Sequence, residues 1–193
     1  MNKKLLSEIP KSLKLVVELG MGDGRFIKDL SEKEKENYFI GIEINTERFQ
    51  EASSNIKSNN VKLINNSFDE VLPLFVDNSI SKVIYILPDP KFIDKNHKQK
   101  CSKLYKIIYD KLEHQGSFIL ITEITDALLQ PVSDELFFGE MIWLKEFFES
   151  IGFVTIDCSE GPPELYNTYF LKLFKGDTQR IRIIYFKFVK TRH

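Results

Sequence analysis

The chain reads as an open α/β fold: a mostly parallel seven-stranded sheet with helices on both faces and an antiparallel strand at the C-terminal end. Three observations predict it. Short apolar runs of strand type alternate with longer helix-like segments along the whole sequence. A glycine-rich turn, Gly20-Met21-Gly22-Asp23-Gly24, directly follows the first such run. The last run, Arg180 to Val189, places Ile184, Phe186 and Phe188 on one face and Ile183, Tyr185 and Val189 on the other. Only the 164–175 segment stands ready as a helical crossover into it, so an antiparallel terminal strand is expected.

The elements follow in order. Leu13 to Leu19 is a strand and Arg25 to about Lys35 a helix. Tyr38 to Ile44 is a strand and Thr46 to Ser58 a helix. Val61 to Ile64 is a strand, and Phe68 to Phe75 a short helix. Lys82 to Leu87 is a strand, His97 to Leu112 a helix, and Ser117 to Thr122 a strand. A helix is expected from about Gly139 to Ser150, a strand over Phe153 to Cys158, a helix over Glu164 to Lys175, and then the final strand.

At 193 residues, the expectation is one domain over 1–193 with room for a sizeable core. The composition is ordinary globular, 42% hydrophobic and 28% charged, with a formal net charge of −1. Whole-molecule charge therefore indicates no nucleic-acid partner, and such a partner has to be met by a local patch. Cys101 and Cys158 fit no metal-ligand spacing and no disulfide framework. The opening residues have no apolar core of signal-peptide type, and no apolar run approaches the roughly 20 residues of a membrane span. A reducing cytoplasmic setting is the resulting expectation, with no membrane and no metal.

The glycine turn carries the first chemical signal. Gly20, Gly22 and Gly24 let the backbone take positive φ and let a ligand approach where a Cβ would stand. A dinucleotide fingerprint spaces its glycines Gly-x-Gly-x-x-Gly; here the third glycine comes one residue early. Glu18 sits at the entrance to the turn, where a carboxylate repels phosphate. It suits a cationic ligand with an amino group, such as S-adenosylmethionine. Glu43 ends the second strand about 20 residues past the turn, where an acidic residue takes ribose hydroxyls. The plain alternatives are an empty glycine turn and a solvated strand-end glutamate.

The fourth strand ends in Leu87-Pro88-Asp89-Pro90. Ligands of open α/β sheets bind at strand carboxyl ends, so Asp89 is expected in the same crevice as Glu18 and Glu43. The segment that follows holds Lys91, Lys95, His97, Lys98, Lys100, Lys103 and Lys106 against Asp94. Such a patch can bind RNA phosphates in a salt-sensitive way, although most lysine runs are solvated helix faces.

Here the chain resembles the bacterial-type tRNA (guanine-N7)-methyltransferase family. That family's fourth-strand motif is Phe-Pro-Asp-Pro-Trp followed by a basic stretch; this chain has Leu87-Pro88-Asp89-Pro90-Lys91 and then Lys95-Asn96-His97-Lys98-Gln99-Lys100. The turn at Asp77-Asn78-Ser79, the residues Leu104, Tyr105 and Ile108, and the run Ile121-Thr122-Glu123 are also similar to family segments. Tyr169, Lys172 and Gly176 echo a family segment that holds the target base. The resemblance implies a Rossmann-like class I methyltransferase fold and S-adenosylmethionine as cofactor. It implies tRNA as partner and methyl transfer to guanine N7.

By the same resemblance the cofactor is bound by Glu18, Gly20, Gly22, Gly24, Glu43, Asn66 and Asp89, with Asp89 catalytic. The RNA is bound by Lys91, Lys95, His97, Lys98, Lys100, Glu123, Tyr169 and Lys172. The chain departs from the family pattern in several places. Asn66 stands for an aspartate and Lys91 for the tryptophan. Gln99 and Lys100 stand where arginine is preferred, Glu123 for an aspartate, and Asn167 and Phe170 for a threonine and a glutamate. Two alternatives accompany this reading. One is a ribosomal RNA adenine-N1 methyltransferase of the aminoglycoside-resistance type, which shares a Gly-x-Gly-Asp-Gly-Arg turn. The other is a cofactor-binding RNA-binding subunit that has lost catalysis.

Overall fold

The computed structural model describes residues 10, 12–126, 128, 130–166, 168, 171–172 and 179–191. Its elements run β1 (Lys14–Leu19), α1 (Arg25–Lys33), β2 (Asn37–Glu43), α2 (Thr46–Asn55), β3 (Val61–Asn65), α3 (Phe68–Val71), β4 (Ile80–Ile86), α4 (Lys98–Lys111), β5 (Leu112–Thr125), α5 (Asp134–Ile151), β6 (Phe153–Glu160) and β7 (Ile181–Lys190). Single 3-10 turns lie at Leu72–Leu74, Pro90–Phe92, Lys95–His97 and Glu164–Tyr166.

The seven strands form one sheet in the order β3-β2-β1-β4-β5-β7-β6. Strands β1 to β5 pair in parallel, and β7 runs antiparallel to both β5 and β6. The expected antiparallel final strand is therefore present, inserted between β5 and the edge strand β6. The order reverses between β1 and β4, which makes the gap at their carboxyl ends the topological switch point where such sheets bind ligands.

Alternation along the strands builds a core on each face. Leu15, Val17 and Leu19 of β1 face the core shared with α4 and α5; Val16 faces the one shared with α1 and α2. The first core is rich in rings, with Phe148 lying 4.6 Å from both Tyr105 and Phe188. Tyr166 and Leu171 pack into the second core, so the chain after β6 folds back over α1.

Two polar clamps fix β7. At its start, the Arg182 guanidinium donates to Glu160 and Asp134 at 2.8 Å and lies 3.9 Å from the Phe137 ring. At its end, buried Lys190 donates to Asn78 Oδ1 (2.8 Å) and to the Leu112 carbonyl (2.9 Å). Burial holds the Lys190 ammonium below the usual lysine range.

Several boundaries differ from expectation. Helix α5 begins at Asp134, before Gly139, because the Ser133 side chain caps it by accepting from Leu136 N (3.1 Å) and two acidic residues fill its first turn. Strand β5 begins at Leu112 and not Ser117, the pairing with β4 shifting between Ile80 and Lys82. Helix α4 starts at Lys98 after a 3-10 turn that includes His97. Of the 164–175 segment, the described residues show the 3-10 turn Glu164–Tyr166 and helical Leu171 and Lys172; residues 167, 169, 170 and 173–175 lie outside the described residues.

Candidate active site

The turn after β1 is built as its glycines allow. Gly20, Gly22 and Gly24 have φ of 67°, 59° and 75°. Gly24 opens α1, and a Cβ there would stand 2.8 Å from both Ala52 and Ile56. The turn is tied down from β2: Glu43 Oε2 accepts from Gly22 N at 2.9 Å, and Oε1 accepts from Asn45 N at 2.7 Å. Each Glu43 oxygen thus spends one lone pair on backbone.

Beside this turn lies a cavity of about 730 Å³. Its walls come from the end of β1 (Glu18, Gly20), the turn (Met21, Gly22, Asp23), the end of β4 (Ile86, Leu87), α1, and the 164–172 segment. It therefore occupies the switch point that the strand order defines. Its size falls within the roughly 300–1,000 Å³ of small-molecule sites.

Glu18 gives the cavity its chemistry. It is 4% exposed, and Oε2 has no hydrogen-bond partner among the described residues. Burial pushes its carboxyl well above the ordinary carboxylate range, and the charges of Asp23 and Glu43 add to the rise. A buried carboxyl oxygen without a partner costs free energy until a donor arrives. An ammonium-bearing ligand supplies such a donor. The residues lining the cavity thus fit an amino-acid-bearing cation such as S-adenosylmethionine through Glu18 and the glycine turn, whereas Glu43, expected to take the diol, and Asn66 do not line it.

The other expected site residues stand at the same edge of the sheet, but not all face the cavity. Asn66 follows β3; its N–H donates to the Glu43 carbonyl (3.1 Å) and its Oδ1 accepts from Ser67 N (2.7 Å). Asp89 follows β4 but does not line the cavity. It caps the 3-10 turn by accepting from Lys91 N (3.1 Å), and it pairs with Lys91 Nζ at 2.6 Å. The Lys91 ammonium and N–H hold the Asp89 carboxyl below its usual range. The preceding Leu87, which does line the cavity, has φ of 51°, a left-handed conformation rare for a non-glycine residue.

On the RNA side, Lys95 pairs with Glu140 (2.6 Å), and His97 Nδ1 lies 2.6 Å from Asp94 Oδ2. Both are exposed. Lys98 and Lys100 are exposed at the start of α4. Glu123 is half-buried near the end of β5, and burial raises its carboxyl. Lys172 lines the cavity, whereas Tyr169 lies outside the described residues.

Several wall residues escaped the sequence reading. Phe26, Asp29 and Lys33 of α1 line the cavity, and their spacing along one helix face was the available signal. Arg48 also lines it, its Nη1 3.6 Å from where a Gly22 Cβ would stand. Leu165 and Thr168 complete the wall, and no local pattern marks them.

A family model described as "Putative methyltransferase" matches residues 12–136, from β1 to the start of α5. The chain belongs to this methyltransferase family. It is 25% identical over 154 residues to a tRNA (guanine-N(7)-)-methyltransferase of Thermotoga maritima, covering 78% of this chain and 46% of that protein. It is 32% identical over 129 residues to the enzyme of the same name from Prochlorococcus marinus subsp. pastoris, covering 62% of this chain and 61% of that one. The chain thus spans less than two thirds of the length of each of these two relatives. Among solved structures it is similar to the 16S rRNA (adenine(1408)-N(1))-methyltransferase of Catenulisporales acidiphilia. The TM-score is 0.70 at 12% identity, covering 100% of this chain and 92% of that one. The fold is that of the class I S-adenosylmethionine-dependent methyltransferases.

Proposed function

We propose that this methyltransferase transfers the methyl group of S-adenosylmethionine to N7 of a guanosine in tRNA. The single observation carrying the cofactor half is Glu18, which lines a cavity at the switch point and has a buried carboxyl oxygen without a partner among the described residues. The substrate half is supported by the Pro88-Asp89-Pro90 run, the basic segment after it, and the tRNA (guanine-N(7)-)-methyltransferase relatives.

When bound, S-adenosylmethionine supplies an electrophilic methyl carbon on a sulfonium. Guanine N7 carries an in-plane lone pair and no proton, so the protein needs no general base. Its work is to align the acceptor and exclude water. Glu18, Gly20, Gly22, Gly24, Glu43 and Asn66 hold the cofactor. Asp89, kept ionised by Lys91, sits at the end of β4 beside that site. Its negative charge favours the cation that forms as N7 is alkylated. Lys98 and Lys100 meet RNA phosphates, as do Lys91, Lys95 and His97 once their carboxylate partners are exchanged for phosphate. Glu123 and Lys172 serve the acceptor, as does Tyr169, which lies outside the described residues. The chain acts as one methyltransferase domain over 1–193 in the cytoplasm, with tRNA as its partner. Among the described residues no helix is long and apolar enough to cross a membrane.

The ribosomal adenine-N1 alternative has the turn Gly22-Asp23-Gly24-Arg25 in its favour. Against it, Trp143 is stacked on Phe147 at 5.5 Å and is not part of the cavity wall, so it cannot sandwich a flipped base there. Labelled methyl transfer to total tRNA and, separately, to small-subunit rRNA decides between them. Label in tRNA alone is expected; label in rRNA alone, or cofactor binding without transfer to either, contradicts the proposal.

A further inference from the structure

One cavity is lined by Glu18 and the glycine turn, by Phe26, Asp29 and Lys33 of α1, and by Glu164, Leu165, Thr168 and Lys172. Glu18 and the glycine turn are the part of this wall suited to the cofactor, which leaves the α1 residues and Glu164, Leu165, Thr168 and Lys172 as the part to examine for the acceptor. An acceptor base taken out of a nucleic acid loses its stacking and has to regain it on a protein ring.

Few rings can provide this. The family tryptophan after Pro-Asp-Pro is replaced by Lys91, whose ammonium is held by Asp89. Phe92 is packed against Phe68 (5.0 Å) and Tyr85 (6.4 Å), with Lys91 Nζ 5.0 Å from its centre. Trp143 is stacked on Phe147 and carries Lys95 at 5.3 Å. Among the described residues lining the cavity, Phe26 is the single aromatic. It is half-buried and backed by Tyr166, ring centres 6.1 Å apart, and Tyr166 is itself 7% exposed. The Phe26 ring is thus fixed from behind while bordering the cavity. Leu165, 44% exposed, adds apolar surface to the cavity wall. A fixed ring and an exposed apolar side chain suit a base, and the wall beside them carries both the cations Lys33 and Lys172 and the carboxylates Asp29 and Glu164.

We propose that Phe26 is the stacking platform for the acceptor base, a substrate-positioning role on α1. This rests on the reading of the protein as an RNA base methyltransferase. The step itself makes and breaks no bond at Phe26; the ring holds the base plane so that its nitrogen lone pair meets the methyl group.

Phe26→Leu keeps apolar bulk and removes the ring, and Phe26→Tyr keeps the ring. Three readings are taken on wild type and both variants: melting temperature, S-adenosylmethionine affinity by calorimetry, and kcat/KM for methylation of total tRNA and of small-subunit rRNA. Phe26→Leu is expected to hold cofactor affinity within about twofold and to lower kcat/KM by about tenfold or more, the scale of removing one base stack. Phe26→Tyr is expected to restore it. A Phe26→Leu enzyme that methylates tRNA like wild type overturns the Phe26 role and leaves the tRNA reading standing. Equal losses in cofactor affinity and turnover also overturn it, since the ring would then serve the cofactor. If Phe26→Leu melts far below wild type, rescue of turnover by Phe26→Tyr upholds the role and failure of rescue overturns it. Methylation of rRNA alone, with the same Phe26 dependence, overturns the tRNA reading and leaves the platform standing. Methylation of neither RNA by wild type overturns both.

Discussion

Replacing Glu18 with glutamine should make the protein more stable and less able to bind its cofactor. The Glu18 side chain is 4% exposed, one oxygen lacks a partner among the described residues, and Asp23 and Glu43 add like charge. A buried polar group left unpaired costs about 1–3 kcal/mol and a charged one more, and a neutral amide of the same shape removes the charged part of that cost. The pH dependence follows from linkage. Because the folded carboxyl is held above the ordinary range, the folded protein keeps a proton that the unfolded chain has already lost. Wild-type stability therefore falls as pH rises from the ordinary carboxylate range toward the folded value of Glu18. Glu18→Gln lacks this fall, so its stability advantage should be larger at about pH 8 than at about pH 5. Urea unfolding of both proteins at the two pH values reads the difference, and calorimetry reads the cofactor. Affinity for S-adenosylmethionine should drop about tenfold or more, the loss of one charge-assisted hydrogen bond. A variant less stable than wild type at the higher pH, or one that binds the cofactor equally well, would refute the reasoning.

Other expectations are as direct. Gly24→Ala places a Cβ 2.8 Å from Ala52 and Ile56 at φ 75°; a loss of about 1–3 kcal/mol in urea unfolding is expected. Lys190→Met leaves the Leu112 carbonyl and Asn78 without their buried donor, and should cost about 1–3 kcal/mol by the same measurement. Asp89→Asn should cut single-turnover methylation by about 10²-fold with little change in cofactor affinity; unchanged turnover would reduce Asp89 to the cap of its 3-10 turn. Changing Lys98 and Lys100 to alanine should shallow the log–log salt slope of RNA binding by about 0.7–0.9 for each phosphate no longer neutralised, whereas an intact slope would leave them a solvated face.

The strands and the glycine turn were legible because both rest on local signals. Apolar runs of the right length mark β1 to β7, and the positive φ of Gly20, Gly22 and Gly24 answers to residue type alone. The start of α5 was also locally encoded, in the Ser133 cap and the acidic pair after it, but Gly139 inside the helix masked it. The early start of β5 was hidden by the polar run Glu113-His114-Gln115, with Gln115 at φ 63°. The cavity wall was not legible. Phe26 meets Tyr166 only because the chain after β6 folds back over α1, and periodicity carries no such long-range pairing. Nor does sequence show that Lys91 closes onto Asp89, Lys95 onto Glu140 and His97 onto Asp94, because long side chains choose partners in three dimensions.

The most direct test is the identity of the methylated base. Unmodified tRNA is incubated with the protein and S-adenosylmethionine, digested to nucleosides and separated, with wild type and Asp89→Asn run together. The account predicts 7-methylguanosine from wild type and about a hundredfold less from the variant. A product of 1-methyladenosine, or no methylated nucleoside from a wild-type protein that binds the cofactor, would contradict it.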